Sequence, residues 1–345
     1  MEQIALPPMG DLHKDALLKP WADHMTDTSD TPEPNGTVAD AVKGNWVDRF
    51  APAFAKPFLR LSRADRPIGT WLLFIPCLWG LMLAMLASDQ YGPADLWIVA
   101  GCAIGAFLMR GAGCTWNDIT DRNFDGSVAR TKSRPIPSGQ ATVRAAVIWM
   151  IVQALLAFLI LLTFAPFAIL LGIVALAPVA IYPFAKRFTW WPQAFLGIAF
   201  NWGVLLAWAA HTNSLGPIPT VLYLAGIVWT LFYDTIYAHQ DVEDDAMIGI
   251  KSTARLFGED TRKWLRLFLT VKVFIFGAAV VMACIDRSIL SLVIALGGPW
   301  AMTWHLTWQL NRFDPDDNAM LLRVFQSNST AGLIPLPFFA LALAV

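Results

Sequence analysis

Along most of the chain, charged residues are confined to short stretches between long apolar runs. No Asp, Glu, Lys or Arg occurs from Ala145 to Ala185, nor from Phe188 to Tyr233. A helix needs about 20 apolar residues to cross a bilayer, so each run is long enough for two crossings. A buried soluble core would account for one such run but not for several. The pattern predicts nine spans: Ile68–Ala87, Leu96–Thr115, Ala145–Leu162, Ala165–Tyr182, Gln193–Ala210, Ile218–Tyr237, Leu267–Ile285, Ile289–Leu310 and Val324–Val345. The last is interrupted by a polar stretch from Gln326 to Thr330 and by Pro335 and Pro337. Ahead of the first, Phe54, Phe58 and Leu61 alternate with Lys56, Arg60 and Arg63, the pattern of a short helix lying at the interface. The expected fold class is all-α, a polytopic transmembrane helix bundle, since helices satisfy their own backbone in lipid.

Composition agrees. The chain is 56% hydrophobic and 15% charged, against about 25% charged for soluble proteins. The first fifty residues differ in kind: they are rich in Pro, Asp, Ser and Thr, with nine acids against four Lys and Arg. Residues 1–50 are expected to form a disordered tail, and residues 51–345 the membrane domain. The tail has no apolar core like a signal peptide and is too acidic for a mitochondrial transit peptide. That points to a bacterial inner (plasma) membrane. Almost all loop Lys and Arg fall on one side of the predicted spans, whereas the opposite loops hold Arg287 alone. The basic side is cytoplasmic by the positive-inside rule. With nine spans the amino terminus is then cytoplasmic and the carboxyl terminus periplasmic. Trp71, Trp97, Trp190 and Trp191 fit interfacial belts. Cys77, Cys102, Cys114 and Cys284 lie in or beside apolar segments without CxxC spacing, which suggests buried small hydrophobes. A net charge of -1 gives no pointer to nucleic acid, and no nucleic-acid partner is expected.

Two acidic clusters stand at helix ends on the basic side. The first is Asn117, Asp118, Asp121 and Asp125, after the second span; positions 117, 121 and 125 share one helical face. The second is Asp234, Asp241, Glu243, Asp244 and Asp245, after the sixth span. Asp241 and Asp245 share a face, with Asp234 two turns back along it. An acid at the centre of a membrane helix costs about 3 kcal/mol. Near the interface the cost falls, but carboxylates on one face still repel and favour a cation between them. Hard oxygen ligands suit magnesium, which takes carboxylates together with phosphate oxygens. The clusters lie four spans apart, as in a repeated half, and facing each other they would grip a diphosphate through bridging metals. A single solvated acidic helix end explains one cluster as well as a site does; it explains two of similar design poorly.

A diphosphate also needs fixed positive charge. Arg130, Lys132 and Arg134 follow the first cluster, and Lys186 and Arg187 follow Tyr182-Pro183-Phe184. Guanidinium forks onto phosphate oxygens and ammonium acts as a point charge. Topology alone accounts for Lys132 and Arg187, less so for Arg130 and Arg134 beside the carboxylates. Gly249-Ile250-Lys251-Ser252 matches the end of a P-loop, but the upstream glycines and strand are missing. His239 fits packing better than metal binding. Arg66 and Arg110, at helix ends, either bind a substrate carboxylate or snorkel.

These residues resemble a known family. Leu108 through Asn117-Asp118, continuing to Asp121 and Asp125, is similar to the NDxxDxxxD motif of the UbiA intramembrane prenyltransferases. Tyr233-Asp234 through Asp241 to Asp245 and Gly249–Thr253 resembles that family's second Asp motif. Asp65–Gly69, Arg130–Gly139 and Tyr182–Arg187 agree, in the style of the 4-hydroxybenzoate polyprenyltransferases of ubiquinone biosynthesis rather than the haem or menaquinone branches. The resemblance covers residues 56–345. It implies nine helices around a central cavity that opens sideways to lipid for a prenyl tail. It implies Mg2+ held by Asn117, Asp121, Asp125, Asp241 and Asp245, with Asp121, Asp241 and Asp245 catalytic. Diphosphate would be bound by Arg130, Arg134 and Lys186, and the aromatic substrate by Arg66, Asp234 and Tyr182. The implied substrates are polyprenyl diphosphate and 4-hydroxybenzoate; other enzymes of the ubiquinone pathway are candidate partners.

On this reading, metal and Lys/Arg charge stabilise the departing diphosphate. The allylic cation is attacked by the ring carbon ortho to the phenol, in a cavity that excludes water. Asp241 is the expected acceptor of the phenolic proton, and Arg66 or Lys186 the partner of the benzoate carboxylate. Prenylation of another aromatic or of haem is the nearest rival. An ion-coupled transporter also uses intramembrane acids, but at the bilayer midplane rather than one face. A structural scaffold leaves the acids without a purpose.

Overall fold

A computed structural model describes residues 41, 44–126 and 131–345. Most of the tail expected over 1–50, and Arg130, lie outside the described residues. Within that stretch, however, Trp46–Phe50 forms a helix, so ordered chain begins before residue 51. Asn45 caps the helix by accepting from the Asp48 N–H, and Trp46 Nε1 donates to the Ala64 carbonyl at 2.9 Å. Five residues are too few to show a periodicity. Burial pushes the Asp48 carboxyl up, but hydrogen bonds from Arg60 and Asn45 and the charges of Arg60 and Lys56 outweigh it. The carboxyl is held below the usual carboxylate range. The short helix expected before the first span is Lys56–Leu61.

Among the described residues, eight helical stretches are long and apolar enough to cross a bilayer. They are Ile68–Ser88, Pro93–Asp125, Val143–Leu161, Pro166–Phe188, Pro192–Thr212, Pro217–Met247, Thr253–Ala283 and Ile289–Arg312, here the first to eighth spans. The ninth expected crossing is built from three pieces, Asn318–Gln326, Asn328–Leu333 and Pro335–Leu343. Its Asn328 is satisfied: the side chain accepts from Trp229 Nε1 at 3.1 Å and donates to the Val324 and Phe325 carbonyls. Two other spans are broken. The fourth is interrupted at Ala175. The fifth is interrupted at Asn201, whose side chain donates to Gly197 O and Thr230 Oγ1, both at 2.9 Å. A side chain that bonds a neighbouring carbonyl and a second helix is a recognised cause of such kinks.

The first span runs through the core. Trp79 is buried, its ring 5.0 Å from Trp229 of the sixth span and 4.9 Å from Phe276 of the seventh. Its Nε1 donates to the Gly332 carbonyl at 2.8 Å, which ties in the ninth crossing. At Gly80 a Cβ would collide with the Val204 backbone, so the first and fifth spans approach as closely as only small residues permit. Leu155, Leu159, Phe274, Val293 and Trp304 are exposed, the surface that a bilayer covers.

Sidedness is visible at one end of the bundle. Arg287, between the seventh and eighth spans, pairs with Asp89, between the first and second. His211, closing the fifth span, bonds Asp95 at 2.6 Å and Ser88 at 3.0 Å. Three of the four loops expected opposite the acidic clusters are thus gathered on one side.

Candidate active site

The second span continues as one helix to Asp125, past the end expected at Thr115. Asn117, Asp121 and Asp125 therefore share the predicted face, and all three line a polar recess of about 260 Å³. Asp234, Asp241, Asp244 and Asp245 line the same recess from the sixth span. Here the local structure differs from expectation. The helix stops at Tyr237, a 3-10 turn spans Ala238–Asp241, and a new helix runs over Val242–Met247. A 3-10 turn holds three residues rather than 3.6, so Asp234 and Asp241 do not share one α-helical face. They reach the same recess because the chain bends around it. Glu243 is exposed and drops out.

The acids are matched by cations. Lys186 Nζ lies 2.5 Å from Asp121 Oδ2, and Arg187 Nη2 3.3 Å from Oδ1. Arg134 Nη1 donates to both oxygens of Asp125, at 2.9 and 2.8 Å, and stands 3.5 Å from Asp118. Lys186 belongs to the fourth span rather than to a loop, because the helix runs on to Phe188. Lys132 is exposed. Asp118 is wholly buried, with Arg63 Nη2 at 2.6 Å. Sequence reasoning gave neither Asp118 nor Arg63 a role. Asp118 is one residue, about 100° around a helix, off the acid face. Arg63 read as a polar position of the interfacial helix. The second-cluster loop is pinned by Thr253, which bonds Thr235 Oγ1 at 2.7 Å and donates its N–H to Gln193 at 3.1 Å. The Lys251 N–H donates to the Lys186 carbonyl at 3.1 Å. His239 packs, as expected: its Nδ1 is 2.8 Å from the Thr235 carbonyl and its ring meets Phe313 edge-on.

An apolar cavity of about 570 Å³ adjoins the recess and shares Asn117, Arg134, Tyr182, Asp234 and Tyr237 with it. Leu73, Met109, Phe158, Leu176 and Phe200 of the first five spans line its walls, with Phe164 from the turn between the third and fourth. Arg66 and Arg110 also line it. Arg66 is 3.3 Å from its neighbour Asp65. Arg110 stands 5.3 Å over the Phe200 ring and against Gly69, where a Cβ would collide with the guanidinium. Its Nε is buried without a partner.

Among the described residues no three His, Cys, Asp or Glu side chains come close enough to hold a metal ion by themselves. The donors that line the recess are an amide and carboxylates from two sides. That set fits magnesium, which retains waters and takes substrate phosphate oxygens rather than an all-protein cage.

Comparison with known proteins agrees with this geometry. The profile of the UbiA prenyltransferase family matches residues 73–328. The mitochondrial 4-hydroxybenzoate polyprenyltransferase of Bos taurus is 44% identical over 289 residues, covering 84% of this chain and 76% of that protein. Its Homo sapiens counterpart is 42% identical over 304 residues, covering 88% and 79%. Among solved structures, a UbiA homolog from Archaeoglobus fulgidus bound to GPP and Mg2+ superposes with a TM-score of 0.62 at 17% identity, covering 84% of this chain and 100% of that one. The apo UbiA homolog from Aeropyrum pernix K1 gives 0.61 at 22% identity, covering 79% and 97%. The chain belongs to the UbiA prenyltransferase family.

Proposed function

We propose that this protein transfers a polyprenyl group from polyprenyl diphosphate to 4-hydroxybenzoate, ortho to the hydroxyl, releasing diphosphate, as a step of ubiquinone biosynthesis. One observation carries the reading: a recess lined by two acidic clusters and by Arg134 and Lys186 opens, through Tyr182 and Asp234, into an apolar cavity large enough for an isoprenoid and a ring. Relatives more than 40% identical over the aligned residues are named for this activity.

Asn117, Asp121, Asp125, Asp241 and Asp245 would hold magnesium, which when bound supplies Lewis-acid neutralisation of the leaving diphosphate. Arg134 and Lys186, and by sequence Arg130, bind phosphate oxygens. The apolar walls exclude water, which would otherwise capture the allylic cation as a prenyl alcohol. Tyr182 and Asp234 border both compartments and so flank the point where the phenol must meet the prenyl carbon. Asp241 borders only the recess. We therefore assign the proton acceptor to Asp234 in place of Asp241. For the benzoate carboxylate, Lys186 is held beside Asp121; Arg110, with Arg66 lining the same cavity, is the better-placed cation.

Mass spectrometry of the product formed from 4-hydroxybenzoate and a mixture of polyprenyl diphosphates tests the reaction. A prenylated hydroxybenzoate supports it; prenylation of other acceptors alone refutes it. Arg110→Met is expected to raise KM for 4-hydroxybenzoate about 10–100-fold, the loss of one charge-assisted bond. Phenol lacks the carboxylate and should show no such change. Equal effects on both acceptors would remove Arg110 from this role.

The named relatives are mitochondrial. For this chain we propose a bacterial plasma membrane with the recess cytoplasmic, from its loop charges. Alkaline phosphatase fused within the loop at Gly139 should be inactive, and fused at Arg287 active. The reverse pattern would invert the topology.

A further inference from the structure

The first-cluster acids that line the recess are already paired with cations. Both oxygens of Asp121 are engaged, by Lys186 and Arg187, and that side chain is only 2% exposed. Both oxygens of Asp125 are taken by Arg134. Asp121, Asp125, Arg134 and Lys186 all line the recess. We propose that these pairs are placeholders, so that divalent cation and diphosphate bind as a coupled pair, each raising the affinity for the other. The inference rests on the diphosphate reading above and adds how the site is loaded.

The argument is one of partner exchange. A divalent cation arriving alone at Asp121 or Asp125 must displace Lys186 or Arg134 and leave that positive charge beside its own, with Arg134 only 14% exposed. A diphosphate arriving alone must draw the same cations away and leave carboxylates uncompensated. Breaking a buried pair by removing one partner is far costlier than exchanging both. When the two ligands arrive together, carboxylates turn to the cation and Lys/Arg turn to phosphate oxygens, and no charge is stranded. By linkage the coupling factor is the same in both directions.

Asp118 completes the device. It lines neither compartment and is wholly buried, 2.6 Å from Arg63 and 3.5 Å from Arg134. It therefore keeps an anionic partner on Arg134 when Asp125 lets go. Asp125 is the exchanging partner and Asp118 the fixed one.

The test is Mn2+ binding to the full chain in nanodiscs, followed by the EPR signal of free Mn2+. Geranyl phosphate is the second probe, because a single phosphate complexes Mn2+ in solution far more weakly than a diphosphate does. Saturating geranyl phosphate should lower the Mn2+ Kd at least about fivefold, the lower end of typical couplings. In Lys186→Gln, Mn2+ alone should bind more tightly than to the wild type, and the enhancement should shrink. An Mn2+ Kd indifferent to geranyl phosphate in the wild type, with both probes bound, overturns the coupling and leaves the diphosphate reading standing. Undiminished enhancement in Lys186→Gln removes Lys186 as a placeholder. Failure of the wild type to bind either probe defeats both proposals. The wild-type titration decides the coupling even where the variant misfolds.

Discussion

Asp121→Asn and Asp241→Asn are each expected to lower prenyl transfer by about 10²–10³-fold, the usual cost of losing one element that stabilises charge in a transition state. Membrane insertion and helical content should not change. The two residues line one recess from different spans, and neither belongs to the aromatic core around Trp79. In Asp121→Asn the released cations are Lys186 and Arg187, whose side chains are 26% and 39% exposed; water solvates them, so the variant should fold. Activity and a circular dichroism spectrum measured on the same preparation separate loss of chemistry from loss of structure. Wild-type turnover in either variant would contradict the assignment of the acids to catalysis.

Asp118→Ala is expected to act on stability instead. Its carboxylate is 0% exposed, and the side chains it compensates, Arg63 and Arg134, are 7% and 14% exposed. Removing it takes from the buried Arg63 guanidinium the carboxylate 2.6 Å away, at a cost of about 3–5 kcal/mol, while Arg134 keeps Asp125. The melting temperature in detergent should fall well below that of the wild type. Asp125→Ala should fall less, since Arg134 would retain Asp118. Equal melting of Asp118→Ala and wild type would mean that the buried pair contributes nothing. The contrast between two acids of one motif is informative because the motif names both, although only Asp125 lies on the face that spacing predicts.

Much of the fold was legible because lipid imposes a simple grammar. Uncharged runs set the spans, and the isolation of Arg287 set their sides, now seen in its pairing with Asp89. Breaks were less legible. Pro335 and Pro337 announced the fragmented ninth crossing, but nothing in the sequence marked the interruption at Ala175. The kink at Asn201 depends on a tertiary partner, Thr230. In the site, the spacing of Asn117, Asp121 and Asp125 was enough, since one helix carries all three. It misled for Asp234 and Asp241, because periodicity cannot foresee a 3-10 turn. The pairing of Lys186 with Asp121 and of Arg63 with Asp118 joins residues far apart in the chain, and no local pattern contains it.

The central claim is that both acidic clusters share divalent cation with one diphosphate. The most direct measurement is a structure of the protein with Mn2+ and a non-hydrolysable prenyl thiodiphosphate, with the metal located by anomalous scattering. The account predicts metal between Asn117/Asp121 and Asp241/Asp245, in contact with the diphosphate, and the prenyl chain in the apolar cavity. Metal bound to one cluster alone, or a diphosphate lying outside the recess, would contradict it.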